Sequence, residues 1–264
     1  MTRKCFFVDR IDPGEERIRL TGENAHHIEN VLRSKPEDEI EVRDGRGRGW
    51  KGVITAIRSG SVEVHIRGEM ESSAESPLDL TLALAFARFD RMELVLRQAT
   101  EMGVSRFVAF RARRSQYGLA GTRLRKRMDR WVKITREALC QCGRTRVPEV
   151  VILPDMSEFL NLAEDEARNA GGCLKVAACE QEPERSLLSL KGIRPRCSRA
   201  VVAVGPEGGW HAEEVDGFGE AGFYMVRLGP RILRLETAAV ALVASVQLLW
   251  GDFGSRASGR EDES

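Results

Sequence analysis

The sequence predicts an α/β protein: a parallel sheet with helices on both faces, preceded by a small β-rich domain. Three observations predict it. From Leu80 to Trp250, strands that are apolar throughout alternate with helices, the pattern of a sheet buried on two sides. Before residue 70 the strands are short and separated by turn residues. Between the two regions, Glu71-Ser72-Ser73-Ala74-Glu75-Ser76-Pro77 is polar and poor in core formers, and marks a boundary. The expected division is residues 1–72, residues 77–252 and a tail of residues 253–264.

In the first region, Ile40-Glu41-Val42 leads into Asp44-Gly45, a dipeptide suited to a tight hairpin. Val53 to Ile57 follows, then a Ser59-Gly60-Ser61 turn. Val62, Val64 and Ile66 alternate with Glu63, His65 and Arg67, a strand with one buried face. A single helix interrupts, with Asn24 as its cap, Ile28, Val31 and Leu32 as its apolar stripe, and Pro36 beyond its end. Five strands and a helix in about 70 residues suggest a small barrel.

In the second region, Leu80 to Ala85 is a continuous apolar strand. The helix after it carries Met92, Leu94, Val95, Leu96 and Ala99 and closes at Gly103. Val104 to Phe110 is the next strand, and a long helix spans about Thr122 to Cys142. Val176 to Ala178, Ala200 to Val204 and Tyr224 to Leu228 are further strands, and the last helix covers roughly Glu236 to Trp250. Trp131 and Trp250 read as core or interface residues, and His26 and His27 as helix packing. Gly254 to Ser264 is polar and charged, the composition of a disordered tail.

Composition narrows the function classes. With 42% hydrophobic residues the chain builds a real core, and its net charge of +1 supplies no global field for polyanions. Six cysteines lie scattered with no C-x-x-C pair, which argues against zinc and structural disulfides and fits a reducing cytoplasm. MTRKCFFVDR does not read as a signal peptide. The longest uncharged run, Thr237 to Gly251, is shorter than the roughly 20 residues a membrane span requires. A soluble, cytoplasmic protein without metal is expected.

Two loops carry the chemistry. In AVVAVGPEGGW, Ala200 to Trp210, a buried strand runs into Gly-Pro-Glu-Gly-Gly. Ligands of parallel α/β sheets bind at the carboxyl ends of strands, and glycines there admit a ligand close to free backbone amides. Neither a P-loop nor a dinucleotide fingerprint is present, since Trp210 and His211 stand where Lys and Ser or Thr would be. RLGPRILRLETAAVALVASVQLL, Arg227 to Leu249, repeats the design: strand, Gly229-Pro230, an irregular run, and an almost uncharged helix. Two such loops at adjacent strand ends would line one pocket. They offer few ionisable groups (Glu207, Arg231, Arg234 and Glu236), which suits a nucleoside-like ligand.

GPEGG followed by LGPRILRLETA resembles the SPOUT methyltransferase superfamily, and more narrowly the bacterial 16S ribosomal RNA uracil-N3 methyltransferases. FDRMELVLRQATEMGVSRF, RWVKITREALCQCGRTRVPEV and HHIENVLR resemble the same family, so the likeness covers nearly the whole chain. It implies an N-terminal PUA-like β-barrel for RNA and a C-terminal SPOUT-type domain whose end forms a deep trefoil knot. It also implies S-adenosylmethionine as cofactor and a homodimer. Cys140, Leu235, Trp210-His211 and Arg91 depart from the family pattern, which has Glu, Thr, a small hydroxyl residue and Lys at those places. The cofactor would rest on Val204, Gly205, Glu207, Gly208, Gly209, Leu228, Gly229, Ile232, Leu233, Leu235 and Thr237.

The implied reaction needs the proton of uracil N3 removed and the resulting anion stabilised. Arg234 is the candidate cation, with a structural salt bridge to Glu236 or Glu207 as its alternative role. Glu207 and Glu236 are the candidate proton acceptors; water is another, and Glu207 also suits a helix cap. Between Arg111 and Arg146 lie twelve basic and two acidic residues, a net +10 in 36 residues. A solvated helix face normally mixes signs, so this stretch reads as a phosphate contact through Arg111, Arg113, Arg114, Arg123, Arg125, Lys126, Arg127 and Arg144. Ser115 to Gly121 is expected to order on RNA. Arg3, Lys4, Arg33, Arg43, Arg46, Arg48 and Lys51 form a looser second group, with Arg46-Gly47-Arg48-Gly49 at a hairpin tip and the acids Glu37, Asp38 and Glu39 nearby. The expected partner is 16S rRNA or the small ribosomal subunit. Two other functions fit the same residues: ribose 2′-O-methylation, and a non-catalytic RNA-binding assembly factor.

Overall fold

A computed structural model describes residues 4–8, 10–12, 14–70, 74–118, 122–169, 172–182 and 185–254. Arg3, part of the expected linker (71–73), the end of the Ser115–Gly121 loop and the tail from residue 255 lie outside the described residues. The chain divides into two compact units: residues 1–75 with 135–147, and residues 76–134 with 148–264. The sequence did not assign Thr135–Val147 to the first unit.

The first unit is a five-stranded sheet in the order β1-β3-β4-β5-β2, where β1 is Cys5–Phe7, β2 Arg17–Thr21, β3 Glu39–Arg43, β4 Gly49–Arg58 and β5 Ser61–Glu69. β1 runs parallel to β3, and the other pairs are antiparallel. Among the described residues no ladder joins β1 to β2. The helix is shorter than the sequence suggested. α1 (Gly22–His26) passes into one π-helical stretch, His27–Val31. Asn24 does not cap it: its side chain donates to the Phe7 carbonyl at 2.7 Å. The π-helical turn rotates the apolar stripe, so Ile28 is buried and Val31 is 59% exposed. The β3–β4 turn is also wider than a two-residue hairpin. The Asp44 carboxylate accepts from the amides of Arg46 and Arg48, and Gly45 and Gly47 take positive φ.

Thr135–Val147 is stapled into this unit by two arginines. Arg43 is fully buried; it donates to the carbonyls of Leu139 and Arg144 and pairs with Glu41. Arg144, 2% exposed, pairs with Glu75, whose carboxylate also accepts from the Thr145 and Arg146 amides. Buried guanidinium groups require such partners, because an unpaired charge is costly away from water.

The second unit is a six-stranded, all-parallel sheet. Its strands are β6 (Asp79–Ala85), β7 (Arg106–Phe110), β8 (Glu149–Ile152), β9 (Leu174–Ala178), β10 (Arg199–Val204) and β11 (Tyr224–Val226). The order is β11-β9-β10-β6-β7-β8. Leu80, Leu82 and Leu84 of β6 pack with residues of α2 (Phe89–Glu101), α3 (Thr122–Cys142), α5 (Leu187–Ile193) and α7 (Leu235–Trp250). Ala83 and Ala85, on the opposite face, pack with α4 (Met156–Asn169) and α6 (Ala212–Glu220). Alternation along one strand feeding two cores is what a sheet covered on both sides requires. Trp131 and Trp250 both belong to the first of these cores. His26 and His27 are exposed; His27 meets Phe6 edge-on at 6.0 Å.

Candidate functional site

The expected neighbours β10 and β11 are separated by β9. Strand order depends on long-range pairing, and chain order alone does not reveal it. The consequence is a site with three walls at the carboxyl edge of the sheet: Ala178–Gln181 after β9, Val204–Gly209 after β10, and Arg227–Arg234 after β11. They enclose a cavity of about 410 Å³, within the range of small-molecule sites.

Local chemistry shapes each wall. After β10 the chain turns at Pro206, whose carbonyl accepts from the Gly209 amide at 2.9 Å, and Gly209 sits at φ 67°. Trp210 then folds back under the loop. It is 5% exposed, donates Nε1 to the Ala178 carbonyl at 2.8 Å, and packs on Phe110 and Phe218. A Cβ on Gly205 would stand 3.0 Å from the indole, so that position is matched to the tryptophan. The departure at Trp210-His211 therefore has a structural role: Trp210 ties the β10 loop to the end of β9. α6 is capped by another route, as buried Glu214 accepts from the His211 amide at 2.8 Å and the Arg113 amide at 2.8 Å. Glu207 is not that cap. The third wall is stiffened by Arg227, which donates to the Gly229 carbonyl at 2.9 Å.

All three candidate catalytic residues, Arg234, Glu236 and Glu207, line the cavity. The salt bridge considered for Arg234 does not form. Glu236 pairs instead with Arg91 at 2.7 Å, and Arg234 has no ion-pair partner among the described residues. Of the candidate cofactor residues, Val204, Gly205, Glu207, Gly209, Leu228, Gly229, Ile232, Leu233 and Leu235 line the cavity; Gly208 and Thr237 do not. Gly208 faces the other way, its carbonyl accepting from Arg114 Nη1 at 2.9 Å. Thr237 is exposed on α7. The sequence missed Arg88 and Arg91 from the start of α2, Glu180 and Gln181 after β9, and Arg227. The cavity is thus more charged than expected, with Arg88, Arg91, Arg227, Arg231 and Arg234 against Glu180, Glu207 and Glu236. The excess of guanidinium suits an anionic substrate.

The candidate RNA-binding residues separate into two sets. Arg113 pairs with Glu213, Arg114 bonds Gly208, and Arg127 bonds Glu93, as does Arg130. Arg48 pairs with Glu69 and lies over Trp50. Arg46 forms an antiparallel bridge with Arg146, so the hairpin tip is partly occupied within the protein. Arg144 is corrected outright: buried against Glu75, it is not a surface cation. Arg33, Arg111, Arg123, Arg125 and Lys126 are exposed and have no ion-pair partner among the described residues.

Residues 74–247 match the model of an RNA methyltransferase domain, and residues 20–67 match an RNA methyltransferase PUA domain. The chain belongs to this RNA methyltransferase family. It is 30% identical over 241 residues to the ribosomal RNA small subunit methyltransferase E of Bacillus subtilis, covering 88% of this chain and 92% of that one. The crystal structure of the Neisseria gonorrhoeae ribosomal RNA small subunit methyltransferase E bound to S-adenosyl methionine is similar, with a TM-score of 0.82 and 31% identity over 95% of this chain and 99% of that chain. A methyltransferase from Legionella pneumophila, in complex with the same cofactor, matches with a TM-score of 0.83 and 26% identity over 96% of this chain and 100% of that chain. No helix among the described residues is long and apolar enough to cross a membrane.

Proposed function

We propose that this methyltransferase transfers the methyl group of S-adenosylmethionine to N3 of a specific uridine in 16S ribosomal RNA. The observation that carries the proposal is the three-walled cavity in which Arg234, with no ion-pair partner among the described residues, lines the wall with the Arg91–Glu236 pair. The cavity fits the cofactor: its glycine turns leave little side-chain bulk over the backbone, and Val204, Leu228 and Leu233 supply an apolar slot for adenine. Gly205, Gly209, Gly229 and the residues after β9 would hold it. When bound, S-adenosylmethionine supplies an electrophilic methyl carbon.

The protein's tasks are alignment and control of the nucleophile. Uracil N3 is a poor nucleophile until its proton leaves, and the resulting anion spreads onto the flanking carbonyl oxygens. Arg234, which pairs with no carboxylate among the described residues, stabilises that anion. Arg91 fixes the Glu236 carboxylate at the cavity wall, and Glu236 or Glu207 accepts the N3 proton directly or through water. The homologues' names support ribosomal RNA of the small subunit as substrate.

The deep trefoil knot, a homodimer and a cytoplasmic location belong to the same proposal. The convergence of the loops after β9, β10 and β11 supports the knot. The almost uncharged α7 leaves Val240, Ala241 and Ala244 half-buried and Leu248 60% exposed, which favours a second copy of the chain as cover. Titration calorimetry with S-adenosylmethionine tests the cofactor: one saturable site is expected, and a folded protein that ignores the donor at millimolar excess would overturn the proposal.

A further inference from the structure

A second cavity, of about 630 Å³, lies at the same carboxyl edge of the sheet and shares no lining residue with the first. Phe86 after β6, Arg111 and Tyr117 after β7, Ile152 and Pro154 around the end of β8, and Leu124 of α3 line it. The two cavities are neighbours. Phe86 lines this one and Arg88, two residues on, lines the other. From β9 to β7 is three strand spacings, about 14 Å.

The pairing of the basic residues distinguishes this place. Arg113, Arg114, Arg127 and Arg130 are committed to acceptors within the protein. Arg111, in the cavity wall, has no ion-pair partner among the described residues, nor have Arg123 and Arg125, which flank Leu124 on the first turns of α3, or Lys126. Tyr117 is half-buried and held edge-to-face on Phe89 at 6.2 Å, while Arg127 lies over Phe89 at 4.3 Å. A mainly apolar recess with a braced aromatic ring and one guanidinium, that of Arg111, in its wall, and with Arg123 and Arg125 beside Leu124, matches what an unstacked nucleotide requires. The base finds an aromatic surface, and its phosphates find cations.

We propose that this cavity receives an unstacked nucleotide of the substrate RNA that flanks the methylated uridine, with its base against Tyr117 and its phosphate on Arg111. This rests on the methyltransferase function proposed above and adds a site that positions the strand.

The test uses Tyr117→Ala, Tyr117→Phe, Arg111→Ala and Arg111→Glu in the full chain. Binding of a 16S rRNA transcript and its KM are measured across a salt series, with calorimetry of S-adenosylmethionine alongside. Tyr117→Ala is expected to weaken RNA binding about 5- to 150-fold, the worth of one stacked base, and Tyr117→Phe to restore it. Arg111→Ala is expected to lower the salt slope by about one, and Arg111→Glu to weaken binding further. Cofactor affinity stays unchanged throughout, which separates lost RNA contact from a collapsed fold. Should Tyr117→Ala not fold, the two exposed Arg111 variants decide the matter. RNA binding at wild-type strength in Tyr117→Ala or Arg111→Glu, by a protein that still methylates, overturns this cavity alone. An unaltered protein that transfers no methyl group to RNA overturns the proposed function as well.

Discussion

Gly205→Ala probes how the site is built. Position 205 does not take a positive φ, so alanine costs nothing in backbone conformation. Its methyl group would instead stand 3.0, 3.2 and 3.4 Å from three atoms of the Trp210 indole, against about 3.5–4.0 Å for unstrained carbon contacts. The ring has little room to retreat. It is bonded to the Ala178 carbonyl at 2.8 Å, parallel to Phe110 with centroids 6.2 Å apart, and edge-on to Phe218 at 4.8 Å. Overpacking of this kind costs about 1–3 kcal/mol. For a domain of this size that lowers Tm by roughly 2–12 °C. Because Ala178 and Gly205 both line the cavity, donor affinity falls with it, by about tenfold if some 1.4 kcal/mol reaches the ligand. Thermal melts and calorimetry are run on Gly205→Ala, Trp210→Phe and the double variant. The alanine should cost less when the indole is gone, with a coupling of about 0.5–3 kcal/mol. Unchanged melting and donor affinity in Gly205→Ala, or strict additivity in the double variant, would refute the claim that Trp210 sets the shape of this wall.

Other outcomes follow from the same geometry. Arg234→Ala should fold and bind S-adenosylmethionine normally while turning over slowly; unchanged turnover removes Arg234 from the catalytic set. Glu93 bonds Arg130 and Arg127, and these cations hold its carboxyl below the usual carboxylate range. A lowered folded pKa contributes stability above the unfolded value, and that stability is lost as pH falls through the folded value. Glu93→Gln should therefore destabilise by of order 1 kcal/mol at neutral pH, and the difference should close as acid protonates the native carboxylate. A pH-independent difference in denaturant midpoints would contradict this. Arg144→Ala removes one partner of a buried pair and should cost roughly 3–5 kcal/mol while leaving the salt slope of RNA binding unchanged; a shallower slope in the folded variant would return Arg144 to the RNA surface.

Local pattern carried much of this architecture. The apolar runs of β6 and β10, the glycine-proline loops after β10 and β11, and the length of α3 are properties of short windows, and they are legible as such. β8 was not, because a strand of four residues, set in the short stretch from Pro148 to Pro154, is too short for a periodic signal. The insertion of β9 between β10 and β11 was hidden for a different reason. It depends on pairings across the chain, and it brought Glu180 and Gln181 into the site unannounced. The basic stretch shows the same limit. Its charge is visible in sequence, but Glu75, Glu93, Glu213 and the Gly208 carbonyl, which occupy several of its arginines, lie between 34 and 100 positions away.

The central claim is that the cavity formed by the loops after β9, β10 and β11 directs a methyl group to the ring nitrogen of a uridine. Its most direct test is incubation of the purified chain with labelled S-adenosylmethionine and unmodified small ribosomal subunits, followed by digestion to nucleosides. Label in 3-methyluridine is the predicted result; label in a ribose-methylated nucleoside, or none in RNA, would contradict it.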